Sequence, residues 1–267
     1  MSVLDDLFVR CRAAKRSAFI PFLTAGDPSL ELTGHVVDTV INAGADAVEI
    51  GFPYSDPLAD GPVIQASYTR SLAAGTKLAG IFAAVRQWTG KHPSIPFLGM
   101  VSYSLVHRQG PEQFLQSTRN AGFHGLIIPD LPHEEAQSLA PQALSRGISL
   151  IQLVTPTTPA ERAARIAGTT SGFLYVVSVT GITGARTSMP GQLAQQLSSL
   201  RTITRLPLCV GFGISKAEQA RLLAGQADGV IVGSALVRCL EGEQPWEEKL
   251  KSLHQLASEL RQGCEAI

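Results

Sequence analysis

Two acidic residues stand out as candidates for chemistry. Glu49 lies in Ala47-Val48-Glu49-Ile50, a run so apolar that its carboxyl group has little access to water. A carboxyl group held there without a cation should have a raised pKa, which suits a general acid–base near neutral pH. Among basic residues only Arg186, on a loop, falls near an expected strand end, so a purely structural ion pair is the lesser reading of Glu49. Asp60 follows in the loop PYSDPLADGPVIQ, which is polar yet stiffened by its prolines. Asp56 and Asp60 can both serve as Asx-turn formers. For Asp56 that reading is as good as a functional one, but two turn formers and nothing more is the poorer account of so apolar a setting. Pro62 suits the first position of a helix running through Gln65 and Leu72.

The residue types missing from the expected strand ends narrow the chemistry. Lys15, Lys77, Lys91, Lys216, Lys249 and Lys251 all fall elsewhere, whereas a Schiff-base aldolase needs a lysine in its pocket. His35, His92, His107, His124, His133 and His254 are scattered, which disfavours a metal aldolase or metal epimerase, and no metal ligands are assigned. Cys11, Cys209, Cys239 and Cys264 show no CxxC spacing, and Cys209 lies in an apolar run that suits a small core residue. Cofactor-free proton transfer remains. Gly211-Phe212-Gly213-Ile214-Ser215 and Gly233-Ser234-Ala235 each follow an apolar run and precede a helical one. Glycines of that kind let a phosphate approach backbone N–H groups, and Gly181-Ile182-Thr183-Gly184 can add another. The substrate is expected to be a small phosphorylated molecule.

Eight apolar runs can carry these residues: Phe19–Thr24, Ala47–Ile50, Pro96–Val101, Gly125–Ile128, Ser149–Val154, Phe173–Val177, Pro207–Val210 and Gly229–Val232. They alternate with stretches of helical period at Leu30–Ala43, Leu78–Trp88, Glu112–Ala121, Glu134–Ser145, Ala160–Ala167, Gln192–Ile203 and Lys216–Leu223. Runs that are apolar throughout fit parallel strands covered on both faces. Eight such units match a (β/α)₈ TIM barrel of about 250 residues, whose active site gathers at the C-terminal ends of the strands. Thr24, Glu49, Asp130, Tyr175 and Ser178 fall at those ends. A doubly wound open sheet is the alternative, but Thr24-Ala25-Gly26-Asp27-Pro28 lacks the GxGxxG turn that it normally carries. An extra helix over Val3–Ala14 is expected to plug the barrel floor, and residues 1–267 are expected to form one barrel domain.

The chain has 267 residues, 45% hydrophobic and 16% charged, with Lys+Arg and Asp+Glu both at 22. A formal net charge of zero argues against nucleic acid as a partner. No apolar run is long enough to cross a membrane as a helix, and the N-terminus has no signal-peptide core, so a cytoplasmic location is expected.

Several segments resemble the α subunit of tryptophan synthase. They are Pro21-Phe22-Leu23-Thr24-Ala25-Gly26-Asp27-Pro28, Glu49-Ile50-Gly51 with PYSDPLADGPVIQ, Thr155-Pro156-Thr157-Thr158-Pro159, GFLYVVSVTGITGAR, Gly211-Phe212-Gly213-Ile214-Ser215 and Val232-Gly233-Ser234-Ala235. The resemblance implies retro-aldol cleavage of indole-3-glycerol phosphate to indole and glyceraldehyde 3-phosphate. It further implies that Glu49 carries the proton and that ionised Asp60 accepts a hydrogen bond from the indole N–H, with Tyr175 beside the glutamate. Phe22, Ile64, Met100 and Phe212 would form the indole slot, and Gly184, Gly213, Gly233 and Ser234 the phosphate site. Residues 179–190 would close over the substrate with Thr183 against Asp60, hinged at Gly181 and Gly184. The family's partner is a PLP-dependent β subunit in an αββα assembly, so PLP is expected in the partner and no cofactor in this chain. Ser102-Tyr103-Ser104 departs from the Tyr-x-Asn pattern common in the family. Two other enzymatic readings are a free-standing lyase and a cofactor-free sugar-phosphate isomerase or epimerase. A third is a barrel kept only to activate a β subunit.

Overall fold

The computed structural model describes residues 2–57, 60–178, 191–211 and 213–265. Its strands are β1 (Ala18–Thr24), β2 (Val48–Gly51), β3 (Phe97–Met100), β4 (Gly125–Ile127), β5 (Ser149–Ile151), β6 (Leu153–Val154), β7 (Leu174–Val177), β8 (Leu208–Gly211) and β9 (Gly229–Val232). The helices begin with α1 (Val3–Ala13), α2 (Leu30–Asn42), α3 (Pro62–Ala73), α4 (Leu78–Lys91), α5 (Tyr103–Gln109) and α6 (Pro111–Ala121). They continue with α7 (His133–Ser145), α8 (Ala160–Gly168), α9 (Gly191–Ile203), α10 (Ala217–Leu223), α11 (Ser234–Arg238) and α12 (Trp246–Gly263). Among the described residues, no helix is long and apolar enough to cross a membrane.

All pairings between strands are parallel, in the order β5-β4-β3-β2-β1-β9-β8-β7-β6. The two ends of that order, β5 and β6, are consecutive in the chain and separated by Gln152 alone. They are the two halves of the single run expected over Ser149–Val154, so the eight-unit barrel is present with one strand divided. Gln152 bridges the two halves. Its carbonyl accepts the Tyr175 N–H at 3.0 Å, while its buried amide donates to Thr169 Oγ1 at 2.7 Å. Before Gln152 the chain pairs with β4, and after it with β7.

Side-chain alternation sorts the strand residues into two cores. Phe19, Leu23, Val48, Ile50, Leu174, Val176, Val210 and Val230 join the layer between barrel and helices. Ala18, Ile20, Phe22, Ala47, Leu98, Ile127, Ile151, Tyr175, Cys209 and Ile231 form the interior with Leu4, Leu7, Phe8 and Cys11 of α1. α1 is therefore the floor plug, with the Phe8 ring packed edge-on to Phe173 at 5.8 Å. A Cβ on Gly172 would lie 2.9 Å from Leu4, so a glycine there lets α1 seat. Ser2 caps the plug through a reciprocal hydrogen-bond pair with Asp5.

The loop carrying Asp60 depends on α3, and α3 is fastened to the end of β1. Thr24 and Ser67 share a buried hydrogen bond of 2.6 Å, and Ser71 Oγ donates to the Ala25 carbonyl at 2.6 Å. The Arg70 guanidinium grips buried Asp27 at 2.9 and 2.7 Å. An apolar barrel rim thus fixes a polar helix through side chains spaced along one helical face.

Candidate active site

The top of the barrel interior holds a pocket lined by Phe22, Glu49, Asp60, Gly61, Ile64, Met100, Tyr175, Gly213, Ile214, Ile231, Gly233 and Ser234. Each described residue that the resemblance implies for the site lines this pocket, whereas Thr24, Asp130 and Ser178, also at strand ends, do not. Thr183, Gly184 and Phe212, together with the loop 179–190, lie outside the described residues. Gly61, Ile214 and Ile231 are additions to the expected set. Alternation would have found Ile231, since it shares its strand face with Gly229 and Gly233.

Glu49 stands beside Phe22 in the β1–β2 register and beside Leu98 in the β2–β3 register. It is fully buried, and neither carboxyl oxygen has a hydrogen-bond partner among the described residues. Burial is the main cause of its raised pKa, and the nearby charge of Asp60 adds to it, so the group is pushed up to about 8. Glu49 is thus protonated at neutral pH and able to donate.

Asp60 N–H donates to the Pro57 carbonyl at 3.1 Å, and Gln65 Nε2 donates to the Asp60 carbonyl at 2.7 Å. Backbone and Gln65 therefore hold the turn, and the Asp60 side chain is left for the pocket. Burial raises its pKa to about 6. Asp60 thus ionises above that pH, and its environment resembles that of Glu49 more than the sequence implied. Asp56 is exposed and accepts from Ser55 Oγ at 2.8 Å, so it does not reach the pocket.

Tyr175 is buried, and its phenol is pushed well above its usual pKa by burial, then by Glu49 and Asp60. Two glycines make room for the aromatic rings. A Cβ on Gly211 would lie 2.2 Å from Tyr175 Oη, and one on Gly51 would lie 2.4 Å from Phe22 Cζ. Gly211 thus seats a tyrosine, a packing reason distinct from the phosphate role its motif suggested.

Asp130, at the end of the fourth strand, has a different task. Its carboxylate accepts the Tyr103 N–H at 2.7 Å and Ser102 Oγ–H at 2.8 Å, which fixes the start of α5. Ser102 in turn accepts the Ser104 N–H at 3.3 Å. The unusual Ser102-Tyr103-Ser104 sequence is therefore a helix cap. Ser178 is buried at the end of β7, and its N–H donates to the Gly211 carbonyl at 3.3 Å. The helix expected from Lys216 begins at Ala217. The N–H groups of Ser215 and Lys216 before it are taken by Gln219 Oε1 at 2.7 and 3.1 Å. Of this turn, Gly213 and Ile214 are the residues that line the pocket.

Three histidines have structural partners, among them His133, whose Nε2 lies 3.3 Å from Gln137 Nε2. His92 pairs with Asp38 at 2.7 Å, and His124 Nδ1 accepts the Phe97 N–H at 3.3 Å. Among the described residues, no group of three or more His, Cys, Asp and Glu side chains is placed to hold a metal ion.

The family model for the tryptophan synthase alpha chain matches residues 8–265. The chain belongs to that family. It is 50% identical to the tryptophan synthase alpha chain of Rhodopirellula baltica over 240 residues, covering 89% of this chain and 86% of the relative. It is 44% identical to that of Rippkaea orientalis over 264 residues, covering 98% of each. Among solved structures, Mycobacterium tuberculosis tryptophan synthase matches with a TM-score of 0.90 at 33% identity, covering 100% of this chain and 99% of that one. The tryptophan synthase A-subunit of Pyrococcus furiosus matches with a TM-score of 0.84 at 37% identity, covering 92% of this chain and 98% of that one. Membership of the tryptophan synthase alpha chain family makes the chain a lyase of tryptophan biosynthesis.

Proposed function

We propose that this chain cleaves indole-3-glycerol phosphate to indole and glyceraldehyde 3-phosphate, with Glu49 and Asp60 as the catalytic acids. The observation that carries the reading is the buried, unpartnered Glu49 carboxyl group in the same pocket as Asp60. Carbon 3 of the indole must gain a proton before its bond to the glycerol carbon can break. Glu49, with a pKa of about 8, holds that proton at neutral pH. Protonation puts positive charge on the ring, which the Asp60 carboxylate stabilises while accepting the indole N–H. The Glu49 carboxylate then takes the proton of the glycerol hydroxyl next to the breaking bond. The carbonyl of glyceraldehyde phosphate forms, and the bonding electrons return to the ring to give indole. Two acids with pKa values set apart, one donating and one ionised, are what this sequence of steps needs.

Phe22, Ile64 and Met100 would contact the indole, with Tyr175 beside Glu49. The backbone at Gly213, Gly233 and Ser234 would hold the phosphate. The expected contributions of Thr183, Gly184 and Phe212 belong to the same reading. Residues 1–267 would act as one barrel domain in the cytoplasm, docked in an αββα assembly to a β subunit that carries PLP. The test is indole release from indole-3-glycerol phosphate by the purified chain, with and without a β subunit. Glu49→Gln should lower turnover by about 10²-fold or more with the fold intact. An undiminished rate in that variant would overturn the assignment.

A further inference from the structure

Gln219 lies in the first turn of α10 and is only 4% exposed. Its amide oxygen turns back on the chain leaving the pocket, accepting from Ser215 N–H at 2.7 Å, Lys216 N–H at 3.1 Å and Ser215 Oγ–H at 3.2 Å. The turn it closes begins at Gly213, with φ +81°, and Ile214, both of which line the pocket. The far side of α10 is anchored as well. A Cβ on Gly263 of α12 would lie 2.5 Å from the Ala217 carbonyl oxygen, so the two helices meet closely. The N–H groups of Gly213 and Ile214 donate to no acceptor among the described residues.

We propose that Gln219 is a positioning residue for phosphate recognition. By holding the Ser215 and Lys216 N–H groups from behind, it fixes the Gly213–Ile214 backbone so that the N–H groups of those two residues meet the substrate's phosphate. The inference rests on the reading of the pocket given under Proposed function. An ordinary helix cap at this position would support stability alone, so the test separates phosphate affinity from folding.

Affinities of the full chain for indole-3-propanol phosphate and for phosphate-free indole-3-propanol are compared by calorimetry. Gln219→Met removes the acceptor. Gln219→Asn keeps an amide but draws its oxygen back by one methylene, out of reach of the turn. Each variant should weaken the phosphate ligand by about fivefold or more and the phosphate-free ligand by less than about twofold, the scale of one lost hydrogen bond. If Gln219→Met fails to fold, the ratio of the two affinities in Gln219→Asn carries the test. An unchanged ratio in folded variants, with the parent chain favouring the phosphate ligand, overturns the role of Gln219 alone. A parent chain that does not favour the phosphate ligand overturns both this role and the phosphate reading of the pocket.

Discussion

Replacing Glu49 with glutamine should make the protein less sensitive to alkali. Folding raises the Glu49 pKa from 4.5 to about 8. Between those values the folded state keeps a proton that the unfolded chain releases, so stability falls as pH rises. This contribution is fully present below pH 4.5 and is lost as pH rises through about 8. At about 1.4 kcal/mol for each pH unit, the interval from 4.5 to about 8 amounts to about 5 kcal/mol, of which about 3 kcal/mol has accrued by pH 7. That is a large part of the stability of an ordinary domain. Glutamine has nearly the same shape and no proton to lose. Any cost of its own buried amide is constant with pH, so the comparison lies in the slopes. Urea unfolding of parent and variant, followed by circular dichroism from about pH 5 to about pH 8.5, measures them. The variant should gain on the parent by several kcal/mol across that range. Parallel curves would refute the argument that burial holds the Glu49 proton.

Two further outcomes concern the acids, and two concern glycines. The pH profile of kcat/KM should be bell-shaped, with an acid limb near 6 where Asp60 must ionise and an alkaline limb near 8 where Glu49 must keep its proton. Asp60→Asn should abolish the acid limb and move the alkaline limb downward, because the Asp60 charge helps to raise Glu49; an acid limb that persists in the variant contradicts the assignment. Gly211→Ala would place a methyl group 2.2 Å from Tyr175 Oη and should cost about 1–3 kcal/mol in urea unfolding, along with indole release. Gly90→Ala, in α4 with nothing within 4 Å, should gain about 0.5–1 kcal/mol in thermal unfolding.

Much of this molecule is legible in its sequence. Strands such as Phe19–Thr24 announce themselves because both faces are covered and the run stays apolar. Glu49 stands out because it breaks such a run. The division at Gln152 is not legible, since it depends on which neighbours the chain meets on either side of one residue. The extent to which Asp60 is buried is hidden for a similar reason. Burial of a loop side chain is decided by how α3 docks, through Ser67, Arg70 and Ser71, and none of these advertises that role in sequence. Gln219 carries no signal at all by type or spacing. α12 could have been found from its amphipathic period, with Leu253, Ala257 and Leu260 on the buried face.

The seam at Gln152 divides the barrel into β1–β5 and β6–β9, which join in register along β1 and β9. Glu49 and Asp60 belong to the first half-barrel, and Gly213, Gly233 and Ser234 to the second. On the proposed reading, the two acids and the backbone that would hold the phosphate therefore come from opposite halves of the barrel, and Tyr175 of the second half stands in the same pocket as Glu49. Amino-acid changes in the first half could then remodel the acids while leaving the proposed phosphate contacts in place.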